Sequence, residues 1–215
     1  AVLASCGGSS TSTTDTAAVT ADVYPVTVGD LTLEAQPVSI ISLSPTATEM
    51  LYAIGAGSQV VAVDEYSNFP AEAVALGTTL SGFEPNIEAI SGYSPDLVII
   101  SYDPGSLVEQ LGTLNIPVFV AGAAMSLENV YEQIEQLGVL TGHSQAAIEV
   151  SKTLQTGIED AVASVKFSEP PLSYYYELDN TYYSVTSNTF VGQIFNLFGM
   201  RNIADNVESG NDYPQ

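Results

Sequence analysis

The chain has 215 residues and a mass of 22.5 kDa, enough for one large domain or two small lobes around a sizeable core, and its 46% hydrophobic and 13% charged residues exclude a disordered chain. Its 25 Asp+Glu against 3 Lys+Arg give a formal net charge of -22, and the bases are Lys152, Lys166 and Arg201, so residues 1–151 contain none. This excludes nucleic acid as a partner and attachment to an anionic membrane surface through a basic patch, because both need cations to meet phosphates.

The chain opens Ala1-Val2-Leu3-Ala4-Ser5-Cys6 and continues in a Gly/Ser/Thr tract to Thr14. Small residues before a lone Cys and ahead of such a tract resemble the lipobox of a bacterial lipoprotein. That resemblance implies cleavage before Cys6 and a lipid on its thiol, which anchors the protein to the cell membrane without a spanning helix. No run of 18 apolar residues offers a membrane span. Residues 1–21 are therefore expected to be a signal-peptide remnant, a lipobox and a flexible tether.

Residues 22–125 alternate strands and helices. Tyr24 to Leu33 alternates around Gly29-Asp30 and predicts a hairpin, and Val38 to Leu43 predicts a buried strand. Ser44-Pro45 starts a helix, with capping-box spacing between Thr46 and Glu49. Strands are expected at Val60–Val63, Asp96–Ile100 and Pro117–Val120, with short helices near Ala71–Ala75, Ile87–Ile90 behind an Asn86 cap, and Ser106–Leu114. This spacing implies a parallel sheet with helices on both faces.

From a Ser126 cap, apolar residues hold helical period to about Lys166, interrupted at Gly142-His143, which predicts a linking helix over 126–168. A second α/β region, 169–215, is expected to hold strands at Leu172–Glu177 and Tyr182–Val185, a helix at Thr189–Phe198 and a C-cap at Gly199. One hairpin and one helix make an incomplete lobe, so the second lobe is expected to be truncated at its C-terminus.

Three segments carry a resemblance. They are Ile40-Ile41-Ser42-Leu43-Ser44-Pro45-Thr46-Ala47-Thr48-Glu49, then Gly82-Phe83-Glu84-Pro85-Asn86-Ile87-Glu88 followed by Ser94-Pro95-Asp96-Leu97-Val98-Ile99, and Ser184-Val185-Thr186-Ser187-Asn188-Thr189-Phe190-Val191-Gly192. In this order, behind a lipobox, they resemble the substrate-binding proteins of ABC importers for cobalamin and ferric siderophores. The resemblance implies an α/β fold of two three-layer lobes joined by one long helix, with ligand in the cleft between them. It implies ABC permease and ATPase subunits as partners and a corrinoid or ferric-siderophore ligand. No cofactor is expected; cobalt or iron would arrive within the ligand.

The resemblance also implies residue roles. Glu88, in the Asn-x-Glu segment, corresponds to a carboxylate that meets permease arginines, and it equally suits the start of a short helix. Ser44, Pro45, Thr46, Ala47, Tyr66, Phe83 and Tyr102 lie on loops that line the family's cleft, and Tyr66 matches an aromatic that packs on corrin. The cobalamin branch places Trp along this rim, whereas this chain has none, and Gly82 and Ser101 stand there. On the second lobe Tyr176, Glu177, Thr186 and Ser187 are candidates. The tyrosines of 174–183 suit an aromatic strand pair, a cleft wall or a phenolate site for Fe(III). A first lobe without Lys or Arg favours a neutral or cationic ligand over one carrying carboxylates.

An enzyme is not expected, and no catalytic or metal-ligating residue is assigned. One Cys and one His exclude a disulfide framework, a Cys-based zinc site and a His pair, and neither a Gly-x-Ser-x-Gly elbow nor a Lys-bearing phosphate loop is present. The remaining alternative is a structural or adhesive lipoprotein on the same fold.

Overall fold

A computed structural model describes residues 22–207 and 210–215. Cys6 and the expected tether lie outside the described residues. The first elements are a hairpin, β1 (Val26–Val28) and β2 (Leu31–Leu33), whose turn uses Gly29 at φ +56°. β3 (Ile40–Leu43), α1 (Pro45–Ala53), β4 (Val60–Val63), α2 (Ala71–Val74), α3 (Ile87–Ser91), β5 (Leu97–Ile100), α4 (Leu107–Gly112) and β6 (Val118–Val120) follow. The four strands β3 to β6 form one parallel sheet in the order β4-β3-β5-β6.

β3 and β5 are buried on both faces, which is why they read as unbroken apolar runs. Alternate residues feed two cores. Ile40, Leu97 and Ile99 pack with Leu51 of α1 and Ile54 at its C-cap. Ile41, Leu43, Val98 and Ile100 pack with Ile90 of α3 and Leu107 and Leu111 of α4. The chain winds from β3 to β4, then crosses to β5 on the other side of β3. That reversal opens a crevice at the carboxyl ends of β3 and β5, where ligands bind in open α/β sheets.

The N-cap of α1 is Ser44, whose hydroxyl accepts from Ala47 N at 3.3 Å with Pro45 at the first turn. Thr46 therefore sits inside the helix, and the capping-box spacing with Glu49 is coincidental. The buried strand begins at Ile40, because Val38 points into solvent at 73% exposure.

The segment 126–168 is two helices, α5 (Leu127–Thr141) and α6 (Ser144–Ala163), and not one. Gly142 takes φ +77° and ends α5. The chain then reverses so that Gly138 faces Ala147 and Ser151 lies over Tyr131 O, an antiparallel helical hairpin. Ile134, Leu137 and Leu140 of α5 and Ala147 of α6 complete the first core, so α5 belongs to the first lobe. The long helix that joins the lobes is α6 alone, with 20 residues over about 30 Å. Only Ala147 and Ser151 of it are buried, both in its first half.

The N-terminal segment is stitched to this helical junction. Asp22 Oδ2 accepts from Ser144 N (3.1 Å), and Tyr24 OH donates to Leu140 O (3.0 Å). Gln36 Nε2 and Gln59 Nε2 both donate to Thr141 O, at 2.7 and 3.1 Å, and His143 Nδ1 lies 2.9 Å from the same carbonyl. Helix-end carbonyls lack intrahelical partners, and these side chains supply them.

The second region contains β7 (Ser173–Tyr174), α7 (Phe190–Leu197) and β8 (Arg201–Asn202). β7 pairs in parallel with β8, and the expected strand at Tyr182–Val185 does not form. Residues 184–186 instead bond outside any named strand, Ser184 N to Pro214 O and Thr186 N to Asp212 O. Thr189 caps α7 by accepting from Gly192 N. Gly192 is required there, because a Cβ would collide with the Thr186 carbonyl.

Candidate functional site

The loops that leave β3, β5 and β6 surround a cavity of about 620 Å³, lined by Ser44 and Thr46, Ser101 and Tyr102, and the small residues Ala121 to Ala124. Met50 and Val130 form its inner wall, and Phe190, at the start of α7, closes it from the second lobe. Gln193 of α7 donates to Met125 O at 3.0 Å and holds the two sides together. A second cavity of about 300 Å³ adjoins at Ser101 and Tyr102 and continues over Leu43, Pro45, Asp64, Tyr66, Gly82 and Phe83.

Three aromatic rings wall the smaller cavity. Phe83 stands in the middle, its centroid 5.6 Å from Tyr66 in an edge-on contact and 6.2 Å from Tyr102. All three are exposed, Phe83 at 62%, and together they form a contiguous apolar surface. Edge-on and tilted pairs of this kind hold one another in place without covering their outer faces.

Beneath them Asp64 is only 4% exposed. Its Oδ1 accepts from Ser67 Oγ at 2.7 Å, Ser67 lies 2.9 Å from Thr48 Oγ1, and Thr48 donates to Ser42 Oγ at 2.8 Å. These buried hydroxyls pin the carboxyl to the floor. Burial pushes its pKa above the usual carboxylate range; the Ser67 hydrogen bond opposes this and the neighbouring Glu65 charge adds to it.

The structure brings together Ser44, Pro45, Thr46, Tyr66, Phe83 and Tyr102 of the expected ligand residues. Ala47 lies next to them in sequence but is buried in the first core at 1% exposure and lines neither cavity. Tyr176 and Glu177 are exposed and line neither, Tyr176 resting edge-on against Phe195 at 6.0 Å. Thr186 is buried and donates to Asp212 Oδ1 (2.7 Å), and Ser187 Oγ donates to Asp205 Oδ2 (2.9 Å), so both hydroxyls serve the second region's own loops. Hydrogen bonds from Thr186 and Asn188 hold the Asp212 carboxyl below the usual range. In the tyrosine cluster Tyr175 OH donates to Tyr182 O, both line a further cavity of about 200 Å³, and Tyr174 stacks on Phe195 at 4.2 Å. Glu88 is exposed in the first turn of α3, whose Asn86 cap accepts from Ala89 N at 3.0 Å.

Sequence reasoning missed Met50, Val130, Phe190 and the run Ala121–Ala124. The last had a signal: it follows the fourth parallel strand, as the recognised loops follow the first three. Among the described residues no group of three or more His, Cys, Asp or Glu could hold a metal ion, and no helix is long and apolar enough to cross a membrane.

Residues 40–214 match the model of the periplasmic binding protein family. The chain belongs to that family. Its members bind substrates and are not enzymes. A curated relative, the cobalamin-binding protein of Halobacterium salinarum, is 31% identical over 204 residues, 89% of this chain and 54% of its own length. An uncharacterized ABC transporter substrate-binding lipoprotein of Bacillus subtilis is 28% identical over 216 residues, 94% of this chain and 68% of its own length. The present chain thus spans about half the length of the first of these relatives. Among solved structures, the periplasmic vitamin B12-binding protein of Vibrio cholerae is 27% identical with a TM-score of 0.66, covering 83% of this chain and 70% of its own. The periplasmic heme-binding protein of the same organism is 26% identical with a TM-score of 0.70, covering 82% and 69%. The α/β fold with a parallel sheet is the one these family members share.

Proposed function

We propose that this protein is an extracytoplasmic substrate-binding lipoprotein of an ABC importer. It captures a metal chelate, a corrinoid or a ferric siderophore, between its two regions and delivers it to the permease. Cys6 carries the lipid, and Glu88 offers its exposed carboxylate to permease arginines.

The observation that carries this reading is the paired cavity at the carboxyl ends of the parallel strands. About 620 Å³ adjoins about 300 Å³, walled by three exposed aromatic rings and closed by Phe190 from the other region. Cavities of this combined size suit a large, flat or globular chelate with apolar faces. The lining contains no Lys or Arg, and Asp64 lies on its floor. A haem, whose propionates seek cations, meets the wrong charge here, which favours a neutral or cationic chelate.

The test is calorimetric titration and native mass spectrometry with cyanocobalamin, ferrioxamine B and haemin. Binding of one of the first two at a one-to-one ratio, with haemin weaker, is the expected outcome. Preferential tight binding of haemin overturns the ligand class, and binding of none favours a structural lipoprotein.

A further inference from the structure

Asp64 is an unusual residue to find under an aromatic cavity. Its Oδ1 accepts from Ser67 Oγ, the backbone amides of Tyr66 and Ser67 also favour its charged form, and Oδ2 lies against Gly82 at the cavity lining. A Cβ at position 82 would come within 3.0 Å of Asp64 Oδ2 and 2.9 Å of Leu43 O. Glycine is therefore required here by close packing, because its backbone lies against both acceptor oxygens and leaves no room for a side chain. No side chain lining the cavity carries a positive charge, and Glu65, the next residue, adds another negative one. A group that enters the smaller cavity meets the Asp64 carboxyl below and ring faces around it.

Desolvating a carboxylate is costly unless hydrogen-bond donors meet it. The Ser67 hydroxyl and the Tyr66 and Ser67 amides supply donors from within the protein, and any further donor must come from a ligand in the cavity. A carboxylate arm would bring like charge to a buried carboxyl, whereas an amide or ammonium arm would bring N–H donors. An ammonium would also gain from the ring faces. Rejection by a buried polar group is sharper than rejection by shape alone, because the mismatched ligand leaves acceptors facing acceptors.

We propose that Asp64, on the floor of the smaller cavity beside Gly82, is the specificity residue of the cleft: it admits a ligand arm that ends in an N–H donor and rejects the same arm ending in a carboxylate. This rests on the proposed function and refines it by setting the chemistry of the ligand's periphery.

The experiment compares matched ligands that differ in one arm. One set is cyanocobalamin with its isomeric monocarboxylic acids, in which one peripheral amide is hydrolysed. The other is ferrioxamine B, with its free ammonium, and its N-succinylated form. Affinities are measured by calorimetry for the wild type and Asp64→Asn, with Asp64→Ser in reserve if the Asn form does not fold. The wild-type comparison itself needs no variant. The expected result is that at least one acid of the set that binds is held tenfold or more weakly than its parent by the wild type. Asp64→Asn narrows that gap to threefold or less. Equal binding of parent and acids by the wild type, or an unchanged gap in Asp64→Asn, overturns the role of Asp64 and leaves the proposed function standing. Failure of both parents to bind overturns the proposed function and this inference with it.

Discussion

Replacing Phe83 with Ala separates a ligand wall from a packing residue. Phe83 is 62% exposed and touches Tyr66 and Tyr102 at centroid distances of 5.6 and 6.2 Å. An aromatic side chain buries on the order of 200 Å², so about 120 Å² remains for a ligand to cover. At about 25 cal/mol per Å², full coverage is worth about 3 kcal/mol and half coverage about 1.5. The expected loss of affinity is therefore roughly 10- to 150-fold. The ligand-free fold should lose far less, because each ring pair contributes about 0.5–1.5 kcal/mol and the outer face already meets water. For a chain of this size about 1 kcal/mol moves the melting temperature by about 2–4 °C. Calorimetric titration with whichever chelate binds, alongside a thermal melt, gives both numbers. Phe83→Leu, which keeps apolar bulk without the ring, should fall between. Wild-type affinity in Phe83→Ala, with the melt shifted as expected, would refute the assignment of this wall to the ligand.

Glu88→Ala and Glu88→Arg should leave ligand affinity within twofold and the fold within about 1 kcal/mol, since an exposed helix-start carboxylate contributes about 0.3–1 kcal/mol. Permease association should weaken in Ala and more in Arg, and normal docking by the Arg form would remove Glu88 from the interface. Gly138→Ala should cost about 1–2 kcal/mol in a thermal or urea melt despite better helix propensity, because the new methyl would overlap Ala147, and Ala147→Gly should restore it. Asp64 has a folded-state pKa above its unfolded value, so its contribution to stability is full below the ordinary Asp value near about 4 and is lost as pH rises through the folded value. Asp64→Asn should thus raise the ligand-free melting temperature at pH 7, with the gain shrinking toward pH 4, and a constant or growing gain on acidification would contradict this. With a net charge of -22, the fold should melt several degrees higher in 1 M than in 0.1 M NaCl as the Debye length falls from about 10 to 3 Å, and a flat salt profile would show that self-repulsion is minor.

The first lobe was legible because its strands are buried on both faces. Runs such as Ile40–Leu43 and Leu97–Ile100 announce themselves without any knowledge of partners, and Asn86 and Ser126 mark helix starts through local hydrogen bonds. The helical hairpin was half legible. Gly142-His143 interrupted the period, but whether a chain kinks or reverses there depends on Ala147 fitting against Gly138, a contact between residues nine positions apart across a turn. The second region was least legible. Tyr182–Val185 alternates like a strand, yet residues 184 and 186 bond to Pro214 and Asp212 far along the chain, and β7 takes β8 as its partner. At the site, loops that follow strands could be named from order alone. The depth of Asp64 beneath them could not, because it comes from hydroxyls at 42, 48 and 67 meeting only in the fold.

The stitching at the α5–α6 junction has a consequence for cooperativity. One carbonyl, Thr141 O, draws Gln36, Gln59 and His143, and Asp22 and Tyr24 bind the same turn from the start of the described chain. Two-stranded hairpins are marginal by themselves in water. Here Asp22 and Tyr24 before β1 and Gln36 after β2 tie both ends of the hairpin to the helical turn, and the helices cannot part without exposing carbonyls. Amides of the first hairpin and of the helical turn should therefore exchange with solvent as one unit. The root of α6 thus opens only with the first lobe, which leaves the exposed second half of that helix as the place where slow local opening can begin.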